Sequence, residues 1–119
     1  MEAADIQDSL TTILVEQFGA TQRRSWGHDA LYRDGRLFVL FDDSDLVGKW
    51  PDDRRSTLLA STWNVRPYVS DDDPTEARWL RIPLGSFDDV SEAVSLSLEA
   101  AEYVHTPAGA PSTRKRVRR

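Results

Sequence analysis

Along the first twenty positions, apolar residues recur at helical spacing: Ile6, Leu10, Ile13, Leu14 and Phe18. The pattern predicts an amphipathic helix over residues 3–18, closed by Gly19, with Asp5 and Asp8 near the end where the helix dipole favours negative charge. Runs rich in aromatic and aliphatic residues follow. Residues 23–32 and 36–41 flank Arg33-Asp34-Gly35, and Asp-Gly between two such runs predicts a β-hairpin. In the second run, strict alternation puts Leu37, Val39 and Phe41 on one face and Phe38 and Leu40 on the other. Apolar residues on both faces predict a central strand. Asp42-Asp43-Ser44-Asp45 predicts the next turn, and residues 46–50 a short third strand.

Pro51-Asp52-Asp53 opens a predicted short helix that runs to about residue 61, with Leu58 and Leu59 turned inward. Residues 63–69 read as a fourth strand interrupted by Pro67, and residues 70–74 as an acidic loop. Residues 77–84 read as a fifth strand, with Trp79 and Arg81 on one face and Leu80 and Ile82 on the other. Ser86-Phe87-Asp88-Asp89 has the form of a capping box with Asp in place of Glu. It starts a last helix over residues 88–104, whose apolar stripe is Val90, Val94, Leu98 and Ala101. The expected fold class is therefore α+β: a two-layer sandwich in which N- and C-terminal helices cover one face of a mainly antiparallel five-stranded sheet. No internal repeat is present. Residues 1–104 make one domain, and the Thr/Pro/Ala/Gly/Ser-rich stretch from His105, ending in a basic run, makes a flexible tail over 105–119.

Composition bounds this picture. At 119 residues the chain suits one domain, burying roughly two-thirds of its unfolded surface. Four Trp, four Phe and three Tyr supply bulky core material despite a hydrophobic fraction of 39%. The absence of cysteine excludes disulfide scaffolds, thiolate nucleophiles and thiolate metal sites. Met1 is followed by Glu2 and Asp5 with no basic and then apolar stretch, which predicts no secretory signal. No apolar run approaches the ~20 residues of a membrane span, so the expected location is cytoplasmic, without membrane contact.

The net charge of −5 is unevenly spread. Arg114, Lys115, Arg116, Arg118 and Arg119 place five of the fifteen basic residues in the last six positions, and none of the twenty acidic ones is there. The body is left with ten basic against twenty acidic residues, a net −10, which repels a phosphate backbone unless its charges segregate by face.

Arg24-Ser25-Trp26-Gly27, then residues 31–38 (Leu-Tyr-Arg-Asp-Gly-Arg-Leu-Phe), then Leu46-Val47-Gly48-Lys49, in that order and spacing, resemble the TfoX N-terminal domain family. Arg66-Pro67-Tyr68-Val69, the residues 79–84 and the final helix are also similar to the related MmcQ/YjbR proteins. The likeness spans residues 10–104. It departs from the family pattern at His28, where a second Gly is usual, and at Asp71 to Asp73, which replace a shorter, more basic turn. The resemblance implies a bacterial protein, a five-stranded antiparallel sheet with packed helices close to the frataxin-like layout, and a DNA-associated or regulatory role without a known active site.

Four groups of residues bear on chemistry. His28 with Ser25 and Asp29 supplies the residue types of a nucleophilic triad, but neighbours on one strand point to opposite faces, and no Gly-x-Ser-x-Gly elbow is present. Asp42/Asp43/Asp45, Asp52/Asp53 and Asp71/Asp72/Asp73 are acidic clusters. Asp43-Ser44-Asp45 starts like a calcium loop but lacks its Gly and closing Glu, and solvated turns are the ordinary reading, so no metal ligand or cofactor is assigned. Trp26, Trp50, Trp63 and Trp79 fall on or beside strands, where stacking platforms for single-stranded nucleic acid would need a basic surround. Trp26 and Trp79 are expected to pack in the core. Trp50, before Pro51 at a strand end, is the one expected to be partly exposed, at a dimer contact. The basic tail suits non-specific contact with phosphates, aided by Arg23 and Arg24.

The expectation is a non-enzymatic binding or regulatory module that associates weakly with DNA through residues 114–119. The alternatives are an acidic protein-interaction or homodimerisation domain, and a small-molecule enzyme with a site near His28.

Overall fold

The computed structural model of the protein describes residues 3–25, 27–68 and 79–109. In chain order the elements are α1 (Ala3–Phe18), β1 (Thr21–Ser25), β2 (His28–Arg33), β3 (Arg36–Asp42), β4 (Asp45–Lys49), α2 (Asp52–Leu59), β5 (Arg66–Pro67), β6 (Trp79–Pro83), a 3-10 turn at Leu84–Ser86, and α3 (Val90–Val104). The strands form one sheet in the order β1-β2-β3-β4-β6-β5, antiparallel at every junction. The main core joins Ile6, Leu10 and Leu14 of α1, Leu58 of α2 and Ala93, Leu96 and Ala100 of α3 to Leu31, Val39, Phe41, Leu46, Leu80 and Ile82 of the sheet. All three helices thus lie on one face, and the fold is the expected two-layer α+β sandwich.

The sheet has six strands rather than five. Residues 23–32 do not form one strand, because Gly27 adopts a left-handed φ of 82° and closes a tight hairpin in which Ser25 pairs with His28. Two further turns match their residues: Asp34 and Gly35 at φ 52° and 80° between β2 and β3, and Asp43 and Ser44 at φ 51° and 70° between β3 and β4. Successive positive φ angles give the twist that two-residue hairpins need. The expected fourth strand contracts to Arg66–Pro67 at the sheet edge, where Pro costs no ladder bond. Val69 and the acidic loop Asp71 to Asp73 lie outside the described residues, as does Trp26.

Alternation along β3 is broken. The register moves from Leu31↔Val39 to Tyr32↔Leu37, which leaves Phe38 as a bulged residue opposite neither. Phe38 therefore joins Val39 and Phe41 in the main core, and Leu37 lies with Leu40 on the other face. The sequence reading had Leu37 with Val39, and an extra residue reverses the side on which the pattern continues.

Several inward assignments shift for tertiary reasons. Phe18 is 39% exposed and Leu59 37% exposed, each as the last residue of its helix. Trp50 is fully buried, not exposed: its indole fills the space over Gly48, and its Nε1 donates to the Leu96 carbonyl at 2.9 Å. It is thus no dimer contact. The buried stripe of α3 runs through Ala93, Leu96, Ala100, Ala101 and Val104, and Val90, Val94 and Leu98 only flank it. Small residues let the helix approach the sheet closely. The cap of α3 is Asp89, three residues later than the Ser86 expected. Its carboxylate accepts from the Ser91 amide and hydroxyl, which holds it below the usual carboxylate range, and Glu92 accepts from the Asp88 amide at 2.8 Å.

The far end of α3 is tied to the β2–β3 hairpin. Arg36 Nη1 donates to the Val104 carbonyl at 2.9 Å, a cation at the negative end of the helix. His105 Nε2 lies 3.1 Å from the Arg33 carbonyl. Residues 105–109 continue as turns, with the Thr106 hydroxyl donating to the Tyr103 carbonyl. No helix among the described residues is long and apolar enough to cross a membrane.

Candidate functional site: the helix-free face of the sheet

The register places a second set of side chains on the face that carries no helix among the described residues. Following the paired positions, one cross-strand row runs Arg23–Ala30–Leu40–Val47–Arg81–Arg66 through all six strands. At ~4.8 Å per strand it spans about 24 Å. Ala30, Leu40 and Val47 are buried and form an apolar floor, on which Tyr32, Leu37, Tyr68 and Trp79 stand half-buried. Trp79, expected in the core, instead stands half-buried on this second cluster and not under the helices.

Three cations cap the three rings. Arg23 lies over Tyr32 at 5.4 Å, Lys49 over Trp79 at 5.4 Å and Arg81 over Tyr68 at 5.3 Å. Cross-strand register produces two of these contacts: Lys49 pairs with Trp79, and Arg23 sits diagonally from Tyr32.

One end of the face is an ordered ionic cluster. Asp45, almost buried, accepts from Arg81 Nε at 2.6 Å and lies 3.7 Å from Arg66 Nη2. Asp42 accepts from the Tyr68 hydroxyl at 2.7 Å and lies 3.8 Å from His28 Nε2. Asp42 and Asp45 are therefore held by side chains of this face and are not solvated turn residues. Among the described residues no group of three or more His, Asp or Glu side chains is arranged to hold a metal ion.

Burial, then the hydrogen bond to Asp42 and the charge of that carboxylate, push the Tyr68 phenol up from 10.0 to about 12, with Arg81 pulling the other way. The folded value is raised above the unfolded one. The stabilisation from this group is therefore complete below pH 10 and is lost as the pH rises towards 12. Tyrosinate absorbance should show one late-ionising phenol. Tyr68→Phe should remove that late step, and Asp42→Asn should shift it down. A late step that survives Tyr68→Phe would contradict the assignment.

The structure separates the residues expected to share nucleic-acid contact. Arg23 is on the helix-free face, whereas Arg24, one residue on, points to the other side. Arg24 pairs with Asp29 at 3.0 Å and donates to the Gly27 carbonyl. Arg114, Lys115, Arg116, Arg118 and Arg119 lie outside the described residues. His28 and Ser25 sit opposite each other across the hairpin, whereas Asp29 turns to the helix side and accepts from Gln7. These three therefore do not converge as a triad. A shallow groove between α2 and α3, lined by Pro51, Arg54, Glu99, Glu102, Tyr103 and Thr106, contains neither histidine, and its Arg54 and Glu99 are paired at 2.9 Å.

Lys49, Arg66, Arg81, Tyr68 and Trp79 were not grouped with Arg23 by the sequence reading. Period-2 alternation within each strand was the available signal, but assembling the five needs the pairing of β4, β5 and β6.

The charges divide between the two layers. Helices α1 and α3 carry six carboxylates, Asp5, Asp8, Glu16, Glu92, Glu99 and Glu102, and no basic residue, and α2 is balanced, with Asp52 and Asp53 against Arg54 and Arg55. The helix-free face carries Arg23, Lys49, Arg66 and Arg81 against Asp42 and Asp45. Fold and site together define a two-layer α+β sandwich with one acidic helical layer and one cation- and aromatic-bearing sheet face. Comparison of the chain with protein-family models, with curated proteins and with solved structures finds no match in any of the three.

Proposed function

We propose that the protein is a non-enzymatic nucleic-acid-binding module of the TfoX N-terminal/YjbR-like type, whose ligand surface is the helix-free face of the sheet. The observation that carries this reading is the segregation of charge. A body at net −10 repels phosphates on average, but α1 and α3 carry six carboxylates and no cation, whereas Arg23, Lys49, Arg66 and Arg81 gather on the opposite face against Asp42 and Asp45. The low-dielectric core between the helices and the sheet lets such a face act on its own ligand. Residues 114–119 add a non-specific attraction, and a cytoplasmic location accords with a chain that meets nucleic acid.

Anisotropy of a labelled oligonucleotide, titrated with the full chain across salt concentrations, tests the reading. Binding should be weak and salt-sensitive. Deleting residues 113–119 removes five cations and should flatten the slope of log K against log salt by about 3 to 4. Reversing Arg23, Lys49 and Arg66 together to Glu should weaken binding at least tenfold further. No binding at low salt would overturn the proposal. Binding that depends wholly on the tail would overturn the role of the face.

A further inference from the structure

We infer that, granted the reading of this face as the nucleic-acid surface, its ligand is single-stranded DNA whose bases stack on Tyr32 and Trp79. A duplex offers a protein its grooves and phosphates, and the major groove admits a helix or a two-stranded ribbon. A six-stranded sheet presenting its broad face, about 24 Å across, is wider than either groove of undeformed duplex, about 12 Å and 6 Å. What the face presents is ring surface on an apolar floor, and base π-faces become accessible only when the strand is single.

The three rings are not equivalent, and the difference singles out two of them. Tyr68 has its hydroxyl committed to Asp42 and Arg81 over its ring, and Arg81 is itself bound to Asp45. Tyr68 is thus a strut of the ionic cluster. Tyr32 and Trp79 lie on the same side of the central row, each two residues along its strand from Ala30 and Arg81. They stand on β2 and β6, separated by three strand spacings, or about 14 Å. That exceeds the ~3.4 Å rise between neighbouring stacked nucleotides, so the two rings engage separate bases of one strand.

Each ring has a cation over it, Arg23 over Tyr32, whose guanidinium plane can itself stack, and Lys49 over Trp79, but neither cation is held by Asp45 as Arg81 is. A base takes either ring by displacing its cation, which then meets the neighbouring phosphate. Between the rings the floor is Ala30, Leu37, Leu40 and Val47, an apolar surface that strips water from a ribose 2′-hydroxyl, while Lys49 is engaged at Trp79. This arrangement favours DNA over RNA.

The test titrates the full chain with oligothymidylate, oligouridylate of equal length, a duplex of equal length and inorganic polyphosphate. Oligothymidylate should bind most tightly. Tyr32→Ala and Trp79→Ala should each weaken it about 5- to 100-fold while leaving polyphosphate binding unchanged. Tyr32→Phe and Trp79→Phe, which keep the ring and guard against misfolding of the truncated variants, should restore most of the affinity. Tyr68→Phe should change it little. Duplex bound as tightly as the single strand, with both Ala variants indifferent, would overturn the stacking inference and leave the nucleic-acid reading standing. Tighter binding of oligouridylate would overturn the preference for DNA. Polyphosphate binding without binding of either oligonucleotide would sink both readings.

Discussion

Trp50→Ala should lower the unfolding free energy by about 3–5 kcal/mol, the range for removing a large aromatic side chain from a packed core. The indole has no solvent exposure and lies where β4 passes under α3. It fills the space above Gly48 and donates to the Leu96 carbonyl at 2.9 Å, so one side chain joins sheet and helix by both packing and a directed bond. Truncation removes both and leaves a void that rigid neighbours fill only in part. Trp50→Phe keeps much of the volume and loses the donor, so its cost should be smaller, about 1–2 kcal/mol. Urea unfolding followed by circular dichroism measures both. A loss under about 1 kcal/mol for Trp50→Ala would show that the indole does not hold the two layers together.

Gly48→Ala should cost about 1–3 kcal/mol, and the cause is Trp50 rather than the backbone. Gly48 does not occupy the left-handed region, so alanine is conformationally acceptable there. A Cβ at this position would meet Trp50 Cη2 at 2.7 Å and Cζ3 at 3.1 Å. The indole is locked by its bond to Leu96 and cannot step aside without breaking it. The two positions should therefore couple: in a Trp50→Leu background, Gly48→Ala should cost little or become favourable. Equal costs in both backgrounds, measured by the same unfolding curves, would place the strain elsewhere.

Legibility of the fold varied from element to element. Helix α1 was readable because Ile6, Leu10 and Leu14 repeat at its period, and the β2–β3 hairpin because Asp34-Gly35 carries the turn chemistry itself. The β1–β2 hairpin was missed because a single Gly27 sits between residues that read as continuous strand. A lone glycine inside a strand pattern was the signal available. The bulge at Phe38 had no local signal, since every residue around it is apolar and only the pairing with β2 shows that one has no partner. Trp50 misled because Pro51 marks a strand end, and strand ends are commonly exposed. Here α3 returns over that end from residues 90–104.

The candidate site was less legible than the fold. Arg23, Tyr32, Lys49, Arg66, Arg81 and Trp79 span almost sixty residues of sequence, on five strands. Total charge pointed the other way, because a sum carries no direction and the acidic residues outnumber the basic ones in the body.

By itself the sequence determined what depends on near neighbours: helix periodicity, turns at residues with suitable φ, a two-layer α+β class, and a cysteine-free chain whose basic residues crowd its end. Only the tertiary structure decided which strands lie side by side, and therefore which face each alternating side chain shares with which others. Antiparallel pairing brought Arg23, Ala30, Leu40, Val47, Arg81 and Arg66 into one row and left the carboxylates of α1 and α3 on the far side of the sheet. The physical reason is that a strand fixes only the alternation of its own side chains, whereas a face is made by register, and register is set by long-range hydrogen bonds and a shared core.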